Sequence, residues 1–198
     1  DLRIWIHFLN HYNGITYFRA FNIVTGQHFN MGADAAKTGY GATFGTHWVQ
    51  ERFPQTWLHL FDDKLLGISF LEFFPIYVLI SLYGHQVQDS TVTFHSDNQG
   101  VVDIINSQTS SSNNIMLFLR PLVLLLMQYN ISLRSKHIPG YKNVLCDKIS
   151  RYQVTQSLLD QYGLQHQKDT IPQHLMTQAF VDLKKEIHLP ELDGVNFN

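Results

Sequence analysis

A chain of 198 residues fits one domain of ordinary size with extensions, or two small ones. Apolar residues make up 44% and aromatic residues 13%, enough for a sizeable core, while a formal charge of −2 and a pI of about 6.6 argue against a broadly basic nucleic-acid coat. The single cysteine, Cys146, excludes an internal disulfide framework and any CxxC zinc pattern, and the eleven histidines are scattered without an HExxH pair.

The chain opens at Asp1 rather than methionine, so it is expected to be a piece of a longer polypeptide, and no basic-then-apolar secretory signal is present. "DLRIWIHFLNHYNG" (1–14) reads as a short amphipathic helix stopped at Asn13-Gly14. "GQHFNMGADA" follows as a strand, with Phe29, Met31 and Ala33 on one face and Asn30, Gly32 and Asp34 on the other. "TGYGATFG" adds a turn and a second strand and "THWVQERF" a third, so 28–53 forms a three-stranded meander.

"LLGISFLEFFPIYVLISLYG" (65–84) has the length of a membrane span, but Glu72 is costly at mid-membrane, and the better reading is a buried helix from Ser69 to about Gly84. Thr91 to Ser96 is the next strand, Asn98 to Gln108 the next helix, and "SQTSSSNN" a polar loop. Ile115 to Tyr129 is helical, kinked or divided at Pro121. "ISLRSKHI" is a strand closed by Pro139-Gly140, and Asn143 to about Tyr152 a helix. The order βββαβα(α)βα implies a mixed sheet with helices packed on it. After 153 the composition turns polar, with short helices expected near 154–162 and 172–187.

Four acids stand out. Asp34 closes the first strand on its polar face, and Asp97 follows the fourth strand, opposite Val92 and Phe94. If those strands are parallel neighbours, the two carboxylates meet at their carboxyl ends, where open α/β sheets place their sites. Glu72 lies one turn into the first long helix and Asp147 in the last one. Acids from separate elements at one sheet edge suit divalent cations, which take oxygen ligands. Each acid also has a purely structural reading. Ser69 and Glu72 match a capping box, Asp147 is spaced to pair with Arg151, and Asp34 and Asp97 are ordinary turn residues. Asp103 reads as solvated.

"DAAKTGYGA", "LEFFPI", "HSDNQGVVDIIN" and "KHIPGYKNVLCDKISR" stand in the order found in the ribonuclease H domain of retroelement reverse transcriptases. The chain resembles that family over about 28–153, most of all the DIRS-type (tyrosine-recombinase) retrotransposons. Its last motif is similar to the H-x-P-G-x-x-N-x-x-x-D-x-x-S-R ending of gypsy-type enzymes, and 1–14 looks like the segment joining the polymerase thumb to ribonuclease H. The resemblance implies an α/β ribonuclease H-like fold, a mixed five-stranded sheet with helices on both faces, and hydrolysis of the RNA strand of RNA–DNA hybrids. It implies a metal-binding and catalytic quartet of Asp34, Glu72, Asp97 and Asp147, two Mg²⁺ ions replaceable by Mn²⁺, and a proton-transfer role for His137. Gln99, with Asn98 beside it, would meet the hybrid's minor groove, which displays the 2′-hydroxyls of RNA. Lys136, Arg134, Lys142 and Lys148 form a local basic cluster that fits either contact with phosphates or a solvated edge. The same resemblance divides the chain into a connector over 1–27, the ribonuclease H domain over 28–153 and an extension over 154–198. It implies a polymerase domain preceding this one in the same polyprotein, an intracellular setting and no membrane partner. One departure is visible: the basic handle of some cellular members is not evident. The rival readings are a non-catalytic connection module that scaffolds a polymerase, and a transposase-type nuclease of the same fold.

Overall fold

The protein is described by a computed structural model, which describes residues 2–11, 22–24, 31–37, 39–62 and 66–175. The elements in chain order are α1 (Leu2–His11), β1 (Asn22–Val24), β2 (Met31–Ala36), β3 (Gly39–Phe44), β4 (His47–Arg52), α2 (Gln55–Asp62), α3 (Ile68–Tyr83), β5 (Ser90–Ser96), α4 (Gln99–Ser107), α5 (Asn113–Gln128), β6 (Ser132–His137), α6 (Val144–Ser150) and α7 (Gln156–Tyr162).

β2, β3 and β4 form the expected antiparallel meander, with Asp34 opposite Gly41 and Gly41 opposite Gln50. β5 joins β2 in parallel through Gly32 and His95, and β6 joins β5 in parallel along its length. The order β4-β3-β2-β5-β6 is the mixed five-stranded sheet implied by the family resemblance. A short sixth strand, β1, was not anticipated; it runs parallel to the first half of β5, from Asn22 opposite Ser90 to Val24 opposite Val92. Three residues are too few for a period-2 pattern to show.

Alternation sorts the two sheet faces. Met31, Ala33, Tyr40, Ala42, Phe44, Val49, Val92 and Phe94 share the core with α3 and α5. The apolar run that has the length of a membrane span is the central helix of this core: Phe70, Leu71, Phe73, Phe74, Ile76, Val78, Leu79 and Ile80 are all buried. A helix covered on every side carries no amphipathic stripe, which is why its sequence reads as apolar throughout. α5 is one continuous helix with Pro121 inside it, not two. α2 is a helix that the sequence reading missed. Its Trp57 is fully buried and packs edge-on against Phe70 and Phe74. Eight residues carry too little periodicity for detection from pattern alone.

The opposite face is covered by α6 and α7. Leu145, Ile149, Leu158, Leu159 and Leu164 pack with Trp48 of β4. Position 153 is therefore no break in packing. The segment after α7 runs beside β4, where the Gln165 amide donates to the Thr46 carbonyl at 2.9 Å and the Asp169 amide to the Trp48 carbonyl at 2.9 Å. Asp169 then accepts from Tyr83 Oη at 2.6 Å and lies 2.7 Å from His47 Nδ1. This segment closes an edge that would otherwise expose unpaired backbone groups. Most of the helix expected near 172–187, and most of the connector over 1–27 apart from α1 and β1, lie outside the described residues.

Candidate active site

β2 and β5 pair in parallel, so Asp34 and the turn that carries Asp97 lie toward the same end of the sheet. Asp34 projects from β2 on the α6 side of the sheet and is 9% exposed. Asp97 stands immediately beyond β5. Its Oδ1 accepts from Asn143 Nδ2 at 3.1 Å, and the same amide nitrogen reaches the Ala33 carbonyl at 3.3 Å, tying the Asp97 turn to β2. The Pro139–Gly140 turn runs against the carboxylate as well: a Cβ on Gly140 would stand 3.3 Å from Asp97 Oδ2.

Glu72 approaches from the first full turn of α3. The capping-box reading fails here, because the N-cap is Gly67 and Ser69 already lies inside the helix, with no side-chain cap bond. Ser69 Oγ instead accepts a long, 3.5 Å contact from Asn98 Nδ2. Burial pushes the Glu72 carboxyl up to about 7, opposed by a hydrogen bond from Asn98 and reinforced by the negative charges of Asp97 and Asp34. Burial raises Asp34 too; a hydrogen bond from Ser150 opposes this, and the charges of Asp97 and Asp147 add to it.

Asp147, in α6, completes the group electrostatically. Its carboxylate is also engaged in the local pair that its spacing suggested, 2.6 Å from Arg151 Nε, with both side chains substantially exposed. Such exposed pairs contribute about 0.3–0.5 kcal/mol on helices, little enough for a stronger ligand to displace.

His137 ends β6 and is exposed, with Nε2 3.2 Å from the Asp97 carbonyl. A carbonyl only accepts, so in this contact the ring donates from Nε2. The other predicted contacts are divided. Gln99 is exposed but bonds to Asp103 at 2.8 Å, one turn on. Asn98 is spent largely on structure, since its Oδ1 caps α4 by accepting from the Val101 amide. Lys136 and Lys142 are exposed at the rim, Lys136 beside half-buried His95 and Lys142 with Nζ 6.0 Å from the Tyr141 ring centroid. A groove lined by Ser69, Gly100, Asp103, Ser107 and Ser112 lies between the start of α3 and α4, and none of the four acids lines it.

With this geometry in place, the chain can be set beside known proteins. Ribonuclease H1 from the halophilic archaeon Halobacterium salinarum NRC-1 is similar to it. The crystal structure of that protein matches at 12% identity over 67% of this chain and 97% of its own length, with a TM-score of 0.48. No protein-family model and no curated protein matches the sequence. The ribonuclease H-like fold therefore rests on strand order and the placement of helices, which stand without the comparison.

Two residues that the sequence reading did not single out hold the site together, Asn143 on Asp97 and Ser150 on Asp34. Both stand at named positions of the H-x-P-G-x-x-N-x-x-x-D-x-x-S-R pattern, and that was the available signal. In donor chemistry the four carboxylates fit a hard divalent cation, since they are all oxygen ligands and carry mutual repulsion that a cation relieves. In spacing they do not yet close on one. Among the described residues no three His, Cys, Asp or Glu side chains are close enough together to hold a single ion. Binding would have to draw the carboxylates inward and release Asp147 from Arg151.

The raised Glu72 pKa has a measurable consequence. The folded-state value of about 7 lies above the ordinary 4.5, so between those pH values the folded chain keeps a proton that the unfolded chain has lost. Stability from this group is fully present below pH 4.5 and is lost as pH rises to about 7. Discounted for partial solvent exposure, the loss is on the order of 1–2 kcal/mol. Denaturant titrations in EDTA across this range should show that decline for the parent and a flatter profile for Glu72→Gln. Equal slopes would mean that Glu72 titrates normally in the folded protein.

Proposed function

We propose that this chain is a metal-dependent endonuclease that hydrolyses the RNA strand of RNA–DNA hybrids, within a retroelement reverse transcriptase of DIRS type. The observation that carries the reading is the gathering of Asp34, Glu72, Asp97 and Asp147, from β2, α3, the end of β5 and α6, at one end of a mixed sheet. Asp34 feels the charges of Asp97 and Asp147, and Glu72 those of Asp97 and Asp34, a coupling between separate elements that turn or cap roles alone would not need.

Magnesium, when bound, supplies an activated water and a counter-charge for the leaving oxygen, and manganese has similar ligand preferences. Asp34, Glu72, Asp97 and Asp147 would hold it through carboxylate oxygens. Asn143 keeps the Asp97 carboxylate turned toward β2. His137 would transfer a proton at the rim of the site. Lys136 and Lys142 would meet backbone phosphates, and Gln99 would reach the hybrid's minor groove after leaving Asp103. A polymerase domain in the same polyprotein, an intracellular setting and the absence of a membrane partner belong to the same reading.

The ion pair between Asp147 and Arg151 favours a second reading, a ribonuclease-H-like module that only scaffolds a polymerase. One experiment separates the two. The chain is incubated with end-labelled RNA–DNA, RNA–RNA and DNA–DNA duplexes in Mg²⁺ and in EDTA. Cleavage confined to the RNA of the hybrid, and abolished by EDTA, is the expected result. An intact hybrid in Mg²⁺ would favour the scaffold, and equal cleavage of DNA–DNA would favour a nuclease of the transposase type.

A further inference from the structure

We propose that Ser150, on a helix docked across the Asp34–Gly41–Gln50 row of the sheet, is the positioning residue that orients the Asp34 carboxylate and sets its distance from Asp147. The proposal rests on the reading above that these carboxylates hold cations.

The row crosses three strands. Asp34 of β2 faces Gly41 of β3, and Gly41 faces Gln50 of β4. Position 41 has no side chain, and α6 uses that space: a Cβ there would lie 2.5 Å from the Ser150 amide nitrogen and 2.5 Å from Ile149 Cγ2. Any residue other than glycine would push the helix off the sheet. On the far side of the gap, Gln50 Nε2 donates to the Ile149 carbonyl at 2.5 Å, anchoring the helix end to β4. On the near side, Ser150 Oγ lies 2.5 Å from Asp34 Oδ2. Ser150 and Ile149 are both fully buried, so this contact is made without competing water.

The Ser150 hydroxyl has one proton and two candidate acceptors, Asp34 Oδ2 and the Asp147 carbonyl at 2.9 Å. The carbonyl already receives the Arg151 amide at 3.1 Å. The Asp34 carboxylate receives no other hydrogen bond among the described residues. A carboxylate oxygen makes the stronger acceptor, so the hydroxyl serves Asp34. Asp147 sits on the same seven-residue helix, one turn before Ser150. Docking α6 through Gln50, Gly41 and Ser150 therefore places both carboxylates at once, one by carrying it and the other by hydrogen bonding to it.

The test uses the full chain and Mn²⁺ as the probe, followed by the electron-spin-resonance signal of the free ion, with melting curves and hybrid cleavage measured in parallel. Ser150→Ala should melt cooperatively, because it removes one oxygen and keeps a good helix former. It should bind Mn²⁺ about tenfold or more weakly, the usual consequence of losing a partner that orients a ligand. Its KM for hybrid should match the parent, and its kcat should fall at low Mn²⁺ and recover at high Mn²⁺. Ser150→Thr, which keeps the hydroxyl, should restore affinity. A folded Ser150→Ala that binds Mn²⁺ as tightly as the parent overturns the proposal, and so does a parent that takes up no Mn²⁺. If Ser150→Ala does not fold, Gln50→Ala decides the matter by releasing the helix end without touching Asp34, and parental affinity there is equally fatal. A parent that binds Mn²⁺ yet leaves the hybrid intact overturns the ribonuclease reading alone, and the positioning role is then judged by the Mn²⁺ titration. Parental binding in Ser150→Ala beside a parent that cleaves overturns the positioning role alone.

Discussion

On the proposed function, Asp97→Asn should lower hybrid cleavage by at least about a hundredfold while leaving the fold intact, since orienting partners of metal ligands already cost about 10–100-fold and a ligand itself would cost more. The amide keeps the shape and loses the charge. Asn98, not Asp97, caps α4, so the helix start does not depend on the substituted side chain. The carbonyl oxygen of the new amide can still accept from Asn143, as Asp97 Oδ1 does now. Asp97 also raises the protonation tendency of both Asp34 and Glu72 through its charge. Removing it should stabilise the cation-free protein, on the order of 1 kcal/mol for screened charges near a surface. Mg²⁺ should raise the melting temperature of the parent by mass action and that of the variant much less. Four melting curves, parent and variant in EDTA and in millimolar Mg²⁺, accompany the cleavage assay. A variant that cleaves near the parental rate, or that melts lower than the parent in EDTA with no response to Mg²⁺ in either protein, would show that Asp97 only shapes a turn.

Ending the chain after Gln153 should remove most of its stability. The composition shift there suggests a dispensable extension, but Leu158, Leu159, Leu164 and Ile171 beyond it are all buried. At about 1.5–3 kcal/mol for each fully buried side chain, four of them contribute up to roughly 6–12 kcal/mol, an upper bound because the unfolded chain also buries apolar surface. Whole domains are stable by only about 5–15 kcal/mol. The truncation would also uncover Trp48, Leu145 and Ile149, and would take Asp169 away from His47 and Tyr83. Since Ile149 and Ser150 seat α6, the acid site should loosen with the fold. Thermal melting by circular dichroism is the measurement. A truncated chain that melts cooperatively near the parental temperature would show that the covering segment is an appendage.

Much of this protein follows from local pattern. Period-2 alternation in 90–96 locates the half-buried strand that leads into Asp97, and Met31, Ala33 and Ala35 mark the apolar face of β2, which the structure buries on both sides. The same alternation puts Asp34 on the face opposite Met31 and Ala33. The continuous apolar run around Phe73 is legible as a buried helix because a carboxylate within it excludes the membrane more firmly than its length supports it. The short elements β1 and α2 escape, since three and eight residues give periodicity too little length to register.

What local pattern could not decide is what each side chain meets. The motif S-x-x-E at Ser69 and Glu72 has the form of a cap, yet the N-cap is Gly67 and the helix starts at Ile68, which leaves Glu72 within reach of the charges of Asp97 and Asp34. A cap motif states only a local preference of a few neighbouring residues, and here the helix starts one residue before Ser69, with Leu66 and Phe70 buried on either side of its start. Ser150 and Asp34 lie 116 residues apart, and Asn143 and Asp97 lie 46 apart. The polar tail hides its leucines among glutamines, and only the apolar surface of Trp48, Leu145 and Ile149 that they cover tells them where to bind. Sequence sets which face of each element is apolar and which residues have the chemistry for a site. The distances between those residues depend on how close α6 comes to the sheet at Gly41, a property of packing between distant segments that no local pattern encodes.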